Sequence, residues 1–197
     1  ERGFAFDSDV LDMRMNPQQE LSAYEVVNHY SKEELEFILR EYGEIHEYKK
    51  LAHLICEARA KEPLHSAKEL SKIAEKVGGK KTIHPSTLLF QAIRIEVNNE
   101  LGVLTELLES IKNAHFEHCI VGIISFHSLE DRIVKQTFKL WSQNCICPAH
   151  VMRCMCGNNH DLGKLISKKP IEATNAEVKK NPRSRSAKLR VFEIKRA

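Results

Sequence analysis

Cys119-Ile120-Val121-Gly122-Ile123-Ile124-Ser125-Phe126-His127-Ser128-Leu129-Glu130-Asp131 is a short apolar run that ends in a polar turn. The run is rich in β-branched residues and does not alternate with polar ones, the pattern of a strand buried on both faces. In Ser128-Leu129-Glu130-Asp131 a hydroxyl is followed by two acids, which predicts a capped helix running to about Trp141. Upstream, Leu89, Ile93, Val97, Leu101, Leu104, Leu108 and Ile111 recur at steps of three or four and predict one long amphipathic helix. Helix, buried strand, tight turn and helix in this order is the grammar of a parallel α/β sheet.

On the amino-terminal side lies a helical block over residues 20–79. Three capping boxes open helices there, Ser22…Glu25, Ser31…Glu34 and Ser66…Glu69, each a hydroxyl followed three residues later by an acid. Leu35, Ile38 and Leu39 give the second helix its apolar face; Leu70, Ile73, Ala74 and Val77 do so for the third, which Gly78-Gly79 is expected to stop. A further helix is predicted over 44–60, with Leu51, Leu54, Ile55 and Ala58 inward. At the other end, 187–194 alternates apolar and polar positions and predicts a terminal strand. The expected architecture is an α/β layer interrupted by a helical insertion.

The chain has 197 residues, 42% of them hydrophobic and 29% charged, which excludes a disordered or fibrous class and suffices for an ordinary core. No apolar run reaches the roughly 20 residues of a bilayer span, and the start lacks a signal-peptide pattern, so a cytoplasmic protein without a membrane partner is expected. The net charge of +3 is unevenly distributed. From Lys164 onward eleven Lys/Arg face three Glu, a net +8, which leaves −5 for the residues before. Such a basic tail is a footprint for phosphates. Within it, Asn181-Pro182-Arg183-Ser184-Arg185-Ser186-Ala187-Lys188-Leu189-Arg190 interleaves cations with short hydroxyl donors, the chemistry that grips a nucleic-acid backbone.

Four of the six cysteines crowd into Cys145-Ile146-Cys147 and Cys154-Met155-Cys156. In a reducing compartment this clustering points to a metal or free thiols before disulfides, and four thiolates are the preferred set for a structural zinc. Cys56 and Cys119 lie on apolar stretches and are expected to be buried and inert. Other candidates lie elsewhere. Ser125 and His127 sit at the carboxyl end of the predicted strand, where α/β sheets bind ligands, and helix capping does not account for either. In Leu11-Asp12-Met13-Arg14-Met15 the carboxylate and the guanidinium project together from an extended segment, as a local ion pair or as a ligand-binding pair. Gln91, Arg94 and Asn98 form one polar line along a helix, suited to solvent or to a nucleobase. No P-loop, G-x-G-x-x-G or catalytic triad motif is present.

Several of these segments occur together in one known family. Arg2-Gly3-Phe4, Leu11-Asp12-Met13-Arg14-Met15, Phe90-Gln91-Ala92-Ile93-Arg94, Val97-Asn98-Asn99-Glu100, Ser125-Phe126-His127-Ser128-Leu129-Glu130-Asp131 and Asn181-Pro182-Arg183-Ser184-Arg185-Ser186-Ala187-Lys188 resemble the bacterial small-subunit ribosomal RNA cytosine-N4 methyltransferases, the MraW family. The resemblance implies a class I, Rossmann-like methyltransferase sheet with an inserted all-helical substrate domain, using S-adenosylmethionine to methylate a cytidine of the ribosomal decoding region. On that reading, residues 1–19 are an extended segment of the core, 20–83 the helical insertion, and 84–197 the carboxyl-terminal half of the core with the cysteine cluster and basic tail.

Family members carry a glycine-rich donor-binding stretch ahead of these motifs, so the chain is expected to be a carboxyl-terminal part that is inactive alone. Homo-oligomerisation would then cover exposed sheet. The exocyclic amine of cytosine is a poor nucleophile, and a group must accept its hydrogen as the methyl is transferred. Asp12, Ser125 and His127 are the candidate acceptors. Arg14, Gln91, Arg94, Asn98, Arg183, Arg185 and Lys188 are the candidate contacts to small-subunit ribosomal RNA, and Cys145, Cys147, Cys154 and Cys156 the candidate metal ligands. The alternative is a non-catalytic RNA-binding or zinc-stabilised module.

Overall fold

A computed structural model describes residues 5–77, 85–148, 151 and 153–195. It divides into two compact units, Glu1–Glu100 and Leu101–Ala197.

The first unit is helical: α1 (Ala23–His29), α2 (Lys32–Glu41), α3 (Tyr48–Lys61), α4 (Ala67–Glu75) and α5 (Pro85–Asn98). Capping sets several of the starts. Ser31 and Ser66 each accept the N–H of the acid three residues on, and Glu34 and Glu69 reach back to the cap backbone. Those bonds hold both carboxyls below their usual range, the backbone N–H of Ser31 acting on Glu34 and that of His65 on Glu69. Ser22 makes only its half of the box, because the Glu25 carboxylate turns to His29 instead. The predicted helix over 44–60 begins later, at Tyr48, since Glu44 takes a positive φ of 49° and the chain turns there. The Gly78-Gly79 stop lies outside the described residues.

Leu35, Ile38, Leu39, Leu51, Ile55, Leu70, Leu89 and Ile93 form the core of this unit, and Leu11 and Met13 of the extended segment are buried in the same cluster. The long helix expected from the apolar spacing is two helices. Asn99 adopts φ +47°, a left-handed conformation that asparagine tolerates better than most residues, and ends α5. A new helix, α6 (Glu100–Asn113), follows.

In the second unit, β1 (His118–Ser125), α7 (Ser128–Trp141), β2 (Gly163–Leu165), β3 (Ile171–Glu172), α8 (Asn175–Lys180) and β4 (Lys188–Lys195) complete the chain. The sheet order is β1-β4-β2, with β3 also on β4. Among the described residues every strand pairing is antiparallel, which corrects the parallel sheet expected from the element order. β1 pairs with β4 over its whole length, from His118 opposite Lys195 to Ser125 opposite Lys188. The terminal strand expected at 187–194 is thus present, and it is the central one.

Among the described residues, β1 is covered on one face only. Val121 and Ser125 are buried, while Ile120 and Ile124 are 55% and 58% exposed. The reading of a strand buried on both faces is therefore corrected: an apolar run does not reveal which of its faces this chain covers. On the packed face, Val121, Val134, Phe138, Trp141, Phe192 and Ile194 build the core with Leu108. Phe138, Trp141 and Phe192 meet with ring centroids 5.3–5.6 Å apart, the spacing of favourable tilted and edge contacts. β2 depends on glycine at its first residue. Gly163 has φ +150°, and a Cβ there would lie 1.9 Å from the Glu193 carbonyl oxygen.

Candidate active site and cysteine cluster

Each unit carries part of the candidate machinery. In the first unit, the segment over residues 11–15, expected to be extended, bends at Met13 and is fastened to the end of α5. Asn98 accepts the Met15 N–H through Oδ1 at 2.7 Å and donates from Nδ2 to the Met13 carbonyl at 2.9 Å. Met13 itself is buried with φ +60°. This clamp presents Asp12 and Arg14 side by side. The guanidinium donates to both carboxylate oxygens, at 2.7 and 3.0 Å, and to the Gln19 carbonyl at 2.8 Å. Both side chains remain about a quarter exposed, so the pair is oriented and still accessible. Gln19 in turn donates to the Val97 carbonyl, a second tie to α5 that no sequence motif marks.

The polar line on α5 is thus occupied within the protein. Asn98 holds the Asp12 segment, Gln91 donates to the Tyr42 carbonyl at 2.9 Å, and Arg94 pairs with both oxygens of Glu100 at 2.7 and 3.1 Å. Of the three, Asn98 is hydrogen-bonded directly to the Asp12–Arg14 segment.

In the second unit, the turn after β1 is built around Glu130 and His127. The Glu130 carboxylate accepts the backbone N–H groups of Phe126 and His127, at 2.8 and 3.3 Å. The His127 ring accepts the Glu130 N–H at Nδ1, which places the proton of a neutral ring on Nε2. His127, not Ser128, is therefore the cap of α7. This corrects the expectation that Ser128 caps the helix and that His127 has no structural task. Ser125 is buried and donates its hydroxyl to the Lys188 carbonyl at 3.3 Å. The antiparallel register brings Ser125, His127 and Lys188 to the same end of the sheet. Arg183 and Arg185 lie just before it, exposed on a 3₁₀ turn at Pro182–Ser186, while Ser184 between them is buried.

Behind this turn lies an ion pair that the sequence assigns to no site. Arg190 of β4 donates to both oxygens of Asp131, at 2.7 and 3.0 Å, with the two side chains 8% and 13% exposed. The guanidinium holds the Asp131 carboxyl below the usual range. In the sequence Asp131 is accounted for by the helix dipole and Arg190 by the basic tail. Only the β1–β4 register, which is non-local, makes them neighbours.

The four clustered cysteines converge. Cys145, Cys154 and Cys156 have sulfurs 3.5–3.7 Å apart, and all four sulfurs lie within 4.8 Å of one another. Backbone N–H groups of Ile146 and then Asn158 draw the Cys156 thiol down to about 5. At Cys145 the Cys147 N–H pulls downward, but the Cys154 and Cys156 thiols outweigh it and push the group up to about 12. The cluster has the donor set and the spacing to hold a metal ion.

The MraW methylase family model matches residues 1–195. The chain belongs to the MraW methylase family. Proteins named ribosomal RNA small subunit methyltransferase H are 60% identical to it over 99% of the chain in Sulfurovum sp. and 61% over 98% in Aliarcobacter butzleri. One from Campylobacter jejuni is 55% identical over 98%. The chain spans 62–64% of the length of these curated relatives. The MraW resemblance and the mixed α/β class expected from the sequence both hold. No helix among the described residues is long and apolar enough to cross a membrane.

Proposed function

We propose that the intact protein is a ribosomal RNA methyltransferase that transfers a methyl group from S-adenosylmethionine to the N4 amine of a cytidine in the small ribosomal subunit, in the cytoplasm. The observation that carries this reading is the family match over residues 1–195, joined to a family segment, Leu11 to Met15, that the fold holds open as an oriented carboxylate–guanidinium pair.

The donor's cradle is not assigned to the turn after β1. Its Phe126 and His127 amides, which could otherwise face a ligand, are satisfied by Glu130. The described residues do not fit the methyl donor there. The exposed Ile120 and Ile124 face of β1 is where helices of a Rossmann-like fold would pack, or a second copy of the chain. An antiparallel strand within an otherwise parallel sheet is common in mixed α/β folds, so the observed pairing is compatible with that class.

On the acceptor side we assign Asp12 as the group that takes the hydrogen bond of the cytosine amine. Its carboxylate accepts the amine N–H and would take the proton that the nitrogen gives up on methylation. Arg14 fixes its orientation, and Asn98 positions the segment through its backbone. His127, whose Nδ1 caps α7, serves as a positioning residue, as Ser125 does. The exposed Arg183 and Arg185 and the neighbouring Lys188 supply phosphate contacts. This chemistry requires no metal, so a zinc held by the cysteine cluster would serve structure.

The test is turnover of intact Asp12→Asn protein on small ribosomal subunits, with donor affinity measured by calorimetry. The expected result is a loss of about 10²-fold or more in kcat, the order for a proton-handling group, with donor affinity unchanged. Full turnover by Asp12→Asn would remove Asp12 from the chemistry.

A further inference from the structure

We propose that Cys145, Cys147, Cys154 and Cys156 bind one zinc ion as a tetrathiolate, and that this ion, in place of a hydrophobic core, holds the excursion between α7 and β2 together. A tetrahedral site with Zn–S bonds of about 2.3 Å has sulfurs about 3.8 Å apart. The distances of 3.5, 3.6 and 3.7 Å among Cys145, Cys154 and Cys156 lie close to that edge, and Cys147 completes the set within 4.8 Å. They are far longer than the roughly 2.05 Å of a disulfide.

Burial does not explain the convergence. Cys145 and Cys154 are exposed and Cys147 and Cys156 half-buried, while the intervening Ile146 and Met155 are 62% and 85% exposed. An apolar cluster would turn these two side chains inward; here the chain turns its sulfurs inward and leaves the large apolar groups outside. The backbone is shaped accordingly. Gly157, Asn158 and Asn159 all have positive φ, 82°, 59° and 71°, so the chain reverses immediately after Cys156. The Met155 N–H donates to Cys147 Sγ at 3.3 Å, as amides do toward thiolates that carry metal-directed negative charge. His160, four residues beyond Cys156, is engaged through Nε2 with the Cys156 carbonyl at 2.9 Å, and among the described residues the four sulfurs alone form the converging donor set there.

The ends of the excursion are joined to the fold. His160 N–H donates to the Asn144 carbonyl and Leu162 N–H to the Trp141 carbonyl, at 3.1 and 2.8 Å, and the Leu162 carbonyl accepts the Lys195 N–H at 2.9 Å. A metal bridging the two cysteine pairs therefore fixes the loop whose far end delivers β2 to the edge of β4.

The experiment is elemental analysis of the intact protein purified without chelator, followed by mercurial titration of its thiols with a zinc indicator present. One zinc per chain is expected, released as four thiols are blocked. Cys154→Ser and Cys156→Ser should each lose most of the metal, whereas Cys56→Ser and Cys119→Ser keep it. Cobalt exchanged into the site should give the intense visible absorption of a tetrahedral thiolate complex. Should the serine variants fail to fold, the titration and the cobalt spectrum of the unmodified protein still decide the matter. Four free thiols with no bound zinc, a Cys145–Cys154 disulfide, or zinc that persists in Cys154→Ser and Cys156→Ser would each overturn the proposal.

Discussion

Removing one partner of the Asp131–Arg190 pair tests how the second unit is held together. Both oxygens of Asp131 are engaged, and the two side chains keep only 13% and 8% of their exposure. Deleting one partner of a buried pair leaves the other charge without compensation, at about 3–5 kcal/mol. Because both groups retain some contact with water, Asp131→Ala and Arg190→Ala should each cost about 3 kcal/mol, at the lower end. For a unit of about a hundred residues this is a fall in Tm of roughly 12 °C or more. The double variant should cost far less than the sum, with a coupling of about 2 kcal/mol. Denaturant unfolding of the four proteins supplies the cycle.

The pH dependence has a definite sign. Asp131 has a depressed carboxyl in the fold, so its contribution is complete above the unfolded value of about 3.9 and is lost as pH falls through the lower folded value. The difference between wild type and Asp131→Asn should be flat from about pH 5 to 8 and shrink in acid. A cycle with no coupling, or single changes costing under about 1 kcal/mol, would refute the reasoning.

Three further outcomes are expected. His127→Ala should lower stability by about 1 kcal/mol through loss of the α7 cap, while His127→Asn restores the cap and keeps turnover; an inactive but stable His127→Asn protein would give the imidazole a chemical role. Asn98→Ala should cost about 1–2 kcal/mol in thermal unfolding and lower kcat by loosening the Asp12 segment, and unchanged turnover would show that the clamp is not needed for catalysis. Arg183→Ala with Arg185→Ala should weaken RNA binding across sequences and flatten the slope of log affinity against log salt by about 0.7 for each phosphate no longer neutralised, measured by fluorescence anisotropy; an unchanged slope would place the phosphate-binding cations elsewhere.

The parts of the fold legible in the sequence are the local ones. Ser31 and Ser66 announce their helices because a capping box is complete within four residues, and the strands at 118–125 and 188–195 are marked by β-branched or alternating residues. The break at Asn99 is hidden because apolar spacing continues across it, and one left-handed residue leaves no trace in periodicity. Strand direction is also hidden, since the antiparallel partner of β1 lies more than sixty residues away. At the candidate site, spacing leaves Asp12 and Arg14 open as an ion pair or a ligand-binding pair and the cysteines open as metal ligands or free thiols, and the structure shows the ion pair and the converged sulfurs. The Asp131–Arg190 pair and the role of Asn98 as a clamp depend on chain segments far apart in sequence. His127 is obscured for a local reason: a ring nitrogen can cap a helix, but the usual cap residues stand beside it.

The central claim is tested most directly by incubating the intact protein with small ribosomal subunits and isotope-labelled S-adenosylmethionine, then digesting the ribosomal RNA to nucleosides for mass spectrometry. The expected product is a single labelled cytidine species carrying the methyl group on N4, lost with Asp12→Asn. Label on the ribose, on C5 or on another base, or no label with subunits that the protein demonstrably binds, would contradict it.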